Sequence, residues 1–385
     1  MNYDVIVIGG GAAGLYCSMV AGRRGRRVLV IEHNAAIGRK IIISGGGRCN
    51  FTNVHTRPEN FISQNPHFCK SALARHTPQT FIDLVRKHNI DFYEKTLGQL
   101  FCKGPSRQIV DMLLAECVSA GVRIETDTSV RSIERGENFR IATSRGECTA
   151  QNVVIATGGL SFPKIGASDF GYKIAEQFGI SVVPTSPSLV ALVSTGMKWP
   201  QLAGISVDSA VSNGLANFRE NILFTHRGLS GPAILQISNY WRRSDPIAID
   251  LMPGTSAADL LNENRSSRRR LDNFLAYHLP ERLAAYVSSL DDWNKPLKQL
   301  RKTDLERIAS LLNGWEVKFS GTEGYDRAEV TLGGVSTAEI SSQTMESNKI
   351  TGLFFIGEVL DVTGWLGGYN FQWAWSSAFA AGSAV

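Results

Sequence analysis

Four short runs of unbroken apolar residues stand out from an otherwise mixed chain. Asp4-Val5-Ile6-Val7-Ile8, Arg27-Val28-Leu29-Val30-Ile31, Val153-Val154-Ile155-Ala156 and Leu353-Phe354-Phe355-Ile356 are too short for helices and lack polar alternation, which predicts strands buried on both faces. Ala13 to Arg24, rich in Ala, Leu and Met, predicts a helix between the first two, and Phe371 to Ala381 predicts another near the C-terminus. From about residue 190 to 255 the pattern changes to short alternating segments such as Ser206-Val207-Asp208-Ser209-Ala210-Val211, broken by Gly and Pro, a β signal. From about 256 to 325 apolar residues recur at helical spacing, as in Leu271, Phe274, Leu275 and Leu279 before Pro280.

The junctions between these elements carry the first chemistry. The opening strand runs into Gly9-Gly10-Gly11-Ala12-Ala13-Gly14, and Glu32 closes the second strand 23 residues after Gly9. Each glycine in that order has its own steric reason. Gly9 permits the tight turn, Gly11 lets backbone N–H groups approach a pyrophosphate, and Gly14 allows close helix packing. The helix start at Ala12 and Ala13 stabilises the anion, and Glu32 accepts hydrogen bonds from a ribose diol while repelling a 2′-phosphate.

That fingerprint alone does not choose between dinucleotides, but later segments do. Thr157-Gly158-Gly159 ends another buried strand in a small-residue turn, as in flavoproteins of the glutathione-reductase type. Gly357-Glu358, Asp361 and Gly367-Gly368-Tyr369-Asn370 lead into the last helix at Phe371, whose free N–H groups suit the negative charge of a reduced flavin. Glu358 and Asp361 are candidates to hold ribityl hydroxyls. FAD is therefore the expected cofactor. No second G-x-G-x-x-G follows a strand, so NAD(P)H, as electron donor, is expected to visit the flavin transiently.

Composition narrows the remaining classes. A chain of 385 residues with 43% hydrophobic and 19% charged residues is that of a folded protein of two or three units. Its N-terminus lacks a basic leader and its apolar runs are only strand-length, so a cytoplasmic protein with no membrane span is expected. The six cysteines form no Cys-x-x-Cys pair, which argues against a metal site or a redox disulfide.

Ile43-Ser44-Gly45-Gly46-Gly47-Arg48-Cys49-Asn50-Phe51-Thr52-Asn53 resembles a motif of the YhiN/BaiN-like, or aminoacetone-oxidase-like, flavoprotein family. Ala156-Thr157-Gly158-Gly159, Phe224 to Pro232, and Thr331-Leu332-Gly333-Gly334-Val335 running on to Gly357-Glu358 and Gly367-Gly368-Tyr369-Asn370 extend the likeness over nearly the whole chain. Phe101-Cys102-Lys103-Gly104-Pro105-Ser106 departs from the Phe-Pro-x-Ser-like run of many members, which points to a subgroup. The resemblance implies an α/β fold: a glutathione-reductase-type Rossmann FAD-binding domain interrupted by an inserted β-rich part and a small helical part. The corresponding boundaries are 1–188 and 333–385 for the FAD domain, 189–255 for the β-rich insert and 256–332 for the helical one. Lys40 and the Gly45-Gly46-Gly47-Arg48-Cys49 turn join the candidate cofactor-binding residues, with Phe371 at the last helix.

The flavin carries hydride chemistry, so the protein must supply positioning and a proton. Cys49, beside Arg48, is the first candidate, on the expectation that the guanidinium lowers its pKa; the alternative is a small core residue. His226, before Ser230-Gly231-Pro232, is the second, with Ser230 expected to cap a helix from Ala233 to Trp241 and a structural hydrogen bond as the alternative role. The family is associated with reduction of a uridine in large-subunit ribosomal RNA, with reductive steps on steroid acids and with oxidation of small amines. Residues 262–302 hold nine Lys or Arg against five acidic residues, a net of +4. Arg265, Arg268, Arg269, Arg270, Lys295, Lys298, Arg301 and Lys302 therefore form a candidate ribosomal RNA face, or else an ordinary solvated surface. A small-molecule substrate would instead need an apolar pocket, for which Trp365, Trp373 and Trp375 are candidates, although Trp373 and Trp375, two apart on a helix, cannot both face it. A third reading makes the flavin a structural or sensing group. Arg23, Arg24, Arg26 and Arg27 cluster at the end of the first helix, where the dipole favours positive charge without any partner.

Overall fold

Val5, Ile6 and Val7 are fully buried because their strand lies in the middle of a sheet with helices against it. In the computed structural model, which describes residues 2–194, 196, 199–243 and 245–385, this sheet belongs to a unit formed by Met1–Pro187 and Glu329–Val385. Its strands are β1 (Asn2–Ile8), β2 (Val28–Ile31), β3 (Arg123–Glu125), β4 (Val130–Arg135), β5 (Phe139–Thr143), β6 (Gly146–Ile155) and β7 (Leu353–Phe355). The order is β3-β2-β1-β6-β5-β4, with β7 also pairing β6. The strands β3, β2, β1, β6 and β7 are parallel, in register Ile8 opposite both Ile31 and Ile155, and Ile155 opposite Phe355. β5 and β4 form an antiparallel extension at one end.

From β1 the chain winds outward through β2 and β3, then returns to the other side of β1 as β6. The strand order therefore reverses between β1 and β6, where open α/β sheets bind their ligands. Two helices meet there. α1 (Ala12–Arg23) follows β1 directly, and α2 (Tyr369–Gly382) lies against it, so close that a Cβ on Gly382 would fall 2.7 Å from the Cys17 carbonyl oxygen. The arginine cluster at the end of α1 serves the fold: Arg24 Nη1 donates to the carbonyls of Gly382 (3.0 Å) and Val385 (2.6 Å), and Arg26 Nε to Val385 (3.2 Å). Arg23 pairs with the buried Glu116.

Residues Ser188–Ala328 form the second unit. Its seven strands run Trp315–Val317, Ile247–Asp250, Ser206–Ser212, Asn217–Phe224, Gly228–Ser230, Leu192–Val193 and Gly321–Thr322 across one antiparallel sheet. The helical stretch, from Ala257–Glu263 to Lys302–Gly314, is spliced between two neighbouring strands of that sheet. Residues 315–322, assigned to a helical part by periodicity, thus return to the sheet. Trp199, 1% exposed, ties the two parts together: its ring meets Phe224 and Trp315 edge-on at 5.8 and 5.4 Å, and its Nε1 donates to the hydroxyl of Tyr286 on the helix Glu281–Ser289. Among the described residues no helix is long and apolar enough to cross a membrane.

Candidate cofactor site

The turn after β1 needs glycine at its first position, and the helix that follows needs one at Gly14. Gly9 sits at φ +113°, and a Cβ there would lie 2.4 Å from the Ala156 carbonyl oxygen at the end of β6; on Gly14 it would lie 1.9 Å from the Gly9 oxygen. The close approach of strand, turn and helix therefore depends on both residues. Gly11 differs, because nothing lies within 4 Å of a Cβ built on it, and α1 begins there with no side-chain cap. The first-turn N–H groups of Ala12, Ala13 and Gly14 have no intrahelical acceptor, as at an anion-binding helix start.

Glu32, 6% exposed at the end of β2, is fastened in place. Its Oε2 accepts the Gly10 N–H at 2.8 Å, and its Oε1 accepts the backbone and side-chain amides of Asn34, both at 2.8 Å. His33 Nδ1 also lies 3.2 Å from Oε1, so of the about four lone-pair positions of a carboxylate the open one is on Oε2, available to a ribose hydroxyl.

The family-motif turn is bent by left-handed glycines, Gly45 at φ +56°, Gly46 at +65° and Gly47 at +83°. A Cβ on Gly46 or Gly47 meets nothing within 4 Å, whereas one on Gly45 would strike the Phe101 ring and the Asn50 amide. Cys49 corrects the sequence expectation. It is wholly buried; burial pushes its thiol well up, Ser44 opposes this weakly, and neighbouring Cys102 adds to it. Arg48 does not lower it, since its guanidinium donates to the Lys103 carbonyl at 3.0 Å.

Across the site the chain converges on Glu358. Its Oε2 lies 2.6 Å from Lys40 Nζ, and its Oε1 accepts the Ser161 hydroxyl at 3.0 Å and the Thr331 backbone N–H at 2.9 Å. Lys40 also donates to Ser161 at 3.0 Å, and Thr331 Oγ1 accepts the Leu160 N–H at 2.8 Å. Gly159 leaves room for this network, for its Cβ would sit 2.4 Å from Thr331 Oγ1. Sequence reasoning did not assign Ser161 or Thr331 to the site. Thr331 begins a block already singled out, but its role depends on a side chain 27 residues away.

Several candidates also make structural contacts of their own. Thr157 Oγ1 is buried beside Gly171 with no hydrogen-bond partner, so only its backbone is left to face a ligand. Asp361, 3% exposed, accepts the Gln64 N–H at 2.8 Å and holds that loop; burial raises its carboxyl, opposed by the hydrogen bonds from Gln64 and Ser63. Asn370 Oδ1 accepts the Gly364 N–H and its amide donates back to the Gly364 carbonyl, while Tyr369 packs edge-on against Phe61 and Phe371 stacks on Trp375. These contacts anchor the start of α2, which follows Gly367 (φ +119°) and Gly368 (φ +96°) without a side-chain cap. Ser377 Oγ and Trp373 Nε1 bind the N–H and carbonyl of Gly357, so helix and glycine turn move as one piece.

His226 lies exposed at the tip of the hairpin between Asn217–Phe224 and Gly228–Ser230, in the second unit. The helix after it is Pro232–Ser238, capped by Gly231 at φ +91° and not by Ser230, which belongs to the strand. All six cysteines are free and buried, and no metal-binding cluster occurs among the described residues.

A parallel sheet with its switch point against an uncapped helix start, a buried, hydrogen-bonded carboxylate at the end of the second strand and a second uncapped helix start after paired glycines is the arrangement of an FAD-binding oxidoreductase of the Rossmann class. The chain belongs to the HI0933-like Rossmann-domain family, whose model matches residues 3–384. It is 53% identical to the ribosomal RNA dihydrouridine synthase of Escherichia coli (strain K12), over 98% of this chain and 97% of that one. It is 45% identical to the protein of the same name in Haemophilus influenzae, over 99% and 98% of the two chains. A third relative, the 3-dehydro-bile acid delta(4,6)-reductase of Clostridium scindens, is 27% identical over 98% of each.

Proposed function

We propose that this protein is an FAD-dependent reductase that converts a uridine of large-subunit ribosomal RNA to dihydrouridine, with NAD(P)H as the electron donor. The observation that carries the reading is the full-length likeness, at 53% identity, to a ribosomal RNA dihydrouridine synthase. When bound and reduced by the nicotinamide, the flavin would supply hydride chemistry; saturation of the uracil C5–C6 double bond would take that hydride at C6 and a proton at C5 from the protein or water.

The chain's own part is to bind and orient. Gly9, Gly11, Ala12, Ala13 and Gly14 hold the pyrophosphate, Glu32 the ribose, and the Gly46-Gly47 and Gly158-Gly159 turns bring backbone close to the cofactor. The start of α2 would offer its free N–H groups to the negative charge of a reduced flavin, and Lys40 and Glu358 would brace the turns around it. The Cys49 thiol is a poor acid where it stands, and His226 takes that place in this reading; His226→Gln should then lower turnover without loss of flavin. The small-molecule alternative loses two of its pocket aromatics, because Trp373 and Trp375 are 1% and 0% exposed, with their Nε1 groups bonded to the Gly357 and Phe51 carbonyls.

The test is the dihydrouridine content of ribosomal RNA, measured by mass spectrometry of nucleosides from deletion and complemented strains. Loss of one dihydrouridine and its return on complementation is the expected result. Unchanged dihydrouridine would overturn the substrate.

A further inference from the structure

The eight basic residues predicted as an RNA face do not act alike. Arg270, Lys295, Arg301 and Lys302 are paired with Asp272 (3.8 Å), Asp292 (2.5 Å), Asp304 (3.0 Å) and Glu306 (3.8 Å), which offsets much of their charge. Arg265, Arg268, Arg269 and Lys298 have no ion pair among the described residues, and all four are exposed. The backbone gathers most of them. Leu297 N donates to the Arg269 carbonyl at 3.1 Å, Lys298 N to Ser267 at 3.1 Å and Leu271 N to Lys295 at 3.0 Å, so residues 267–271 and 295–298 lie side by side as a ribbon.

Beside this ribbon stands an aromatic ring that the core does not use. Leu271, Phe274, Leu275 and Leu279 fill the interior around it, yet Tyr277 is 70% exposed, and the Arg269 guanidinium lies over its ring, 4.5 Å from the centroid. A single exposed aromatic is ordinary on a protein surface. One with a guanidinium on its face, among cations that lack carboxylate partners, matches the stacking platform and charged track that unpaired nucleotides bind.

Resting on the ribosomal RNA reading above, we infer that Tyr277 and Arg269 form a stacking platform for an unpaired base of the RNA, while Arg265, Arg268 and Lys298 hold the adjoining phosphates. The surface selects single-stranded over duplex RNA. A base inside a helix keeps its faces covered, whereas a reductase acting on a base needs a region where bases have left the stack.

The test is binding of the FAD-loaded protein to a short fluorescent single-stranded RNA and to its duplex, by anisotropy over a range of salt. Tyr277→Ala should weaken single-strand binding by about five- to 150-fold, from the ~1–3 kcal/mol that stacking contributes per base, without changing the salt slope. Tyr277→Phe should restore it, since the ring and not the hydroxyl is used. Lys298→Gln should instead lower the slope by about one. Unchanged single-strand affinity in Tyr277→Ala, with Lys298→Gln weakened, would overturn the platform and leave the RNA reading standing. Equal losses on strand and duplex would also overturn it. A wild-type protein that binds neither RNA and leaves dihydrouridine unchanged in cells would overturn the reading beneath it as well. Retained flavin and melting temperature in the variants ensure that binding alone is compared.

Discussion

Two glycines three residues apart should respond in opposite ways to the same added methyl. On Gly14 the new carbon would sit 1.9 Å from the Gly9 carbonyl oxygen, roughly 1.5 Å inside ordinary van der Waals separation. The obstacle is backbone, so relief requires α1 to move off β1. Overpacking of this kind costs about 1–3 kcal/mol or more, and the better helix propensity of alanine returns only about 1 kcal/mol. On Gly11 the methyl enters open space at φ −84°, which costs the empty protein less than about 1 kcal/mol as a poorer cap. In the proposed site the pyrophosphate would approach the N–H groups through that space, and each hydrogen bond to the charged group contributes about 1.5–3 kcal/mol. Gly11→Ala should therefore weaken FAD by roughly ten- to hundred-fold while leaving the apoprotein nearly as stable. Gly14→Ala should destabilise the apoprotein itself. Denaturant unfolding of the apoproteins and FAD titration by flavin fluorescence separate the two. Wild-type FAD affinity in Gly11→Ala, or an apoprotein as unstable as that of Gly14→Ala, would refute the placement of the cofactor.

Three other outcomes follow from the same geometry. Cys49→Ala should keep its flavin and most of its turnover, as expected of a buried thiol; an enzyme with full flavin and no turnover would reinstate Cys49 as the acid. Lys40→Met strips the cation from Glu358 and leaves that carboxylate with only Ser161 and the Thr331 N–H, so flavin should be released more readily on dilution, read by gel filtration; unchanged retention would detach the pair from the cofactor. Burial alone raises the Glu116 carboxyl, but hydrogen bonds from Lys87, His88 and Arg23 outweigh it and bring it from 4.5 down to about 2. At about 1.4 kcal/mol per tenfold change in proton affinity that corresponds to roughly 3 kcal/mol, reduced to about 1–2 because Lys87 and Arg23 are half exposed to screening solvent. The group is more acidic folded than unfolded, so this stability is complete above about pH 4.5 and fades as pH falls toward 2. Glu116→Gln should lose it at pH 7 and converge with the wild type in acid, and parallel stability curves would contradict the assignment.

The glycine fingerprint was legible because its constraints are local: a strand, a turn and a helix start lie within a dozen residues, and each glycine has a steric reason visible in the spacing. The pairing of Lys40 with Glu358 was not, since 318 residues separate them and neither sits in a periodic pattern that sets its partner. Cys49 misled for a related reason. Adjacency to Arg48 in sequence says nothing of direction, and the backbone at Cys49, φ +46°, turns the thiol inward while the guanidinium reaches Lys103. The basic stretch overstated its free charge because carboxylates two to four residues away pair with half of it. Helical periodicity also ran past its limit, for residues 315–322 are too few to show an alternation that only their neighbouring strands define.

The pairing of β7 with β6 has a consequence for how the protein is made. Ile155 waits for Phe355, two hundred residues later in the chain, which at ribosomal rates of about 5–20 residues per second is a delay of roughly 10–40 s. During that time β6 has an unfilled edge, while all of Ser188–Ala328 is synthesised and is free to fold as a continuous unit. The segment carrying Glu358 and the start of α2 emerges after both. Completion of the sheet is thus set late in biosynthesis, and until β7 emerges the nascent chain exposes an apolar strand edge of the kind that invites aggregation.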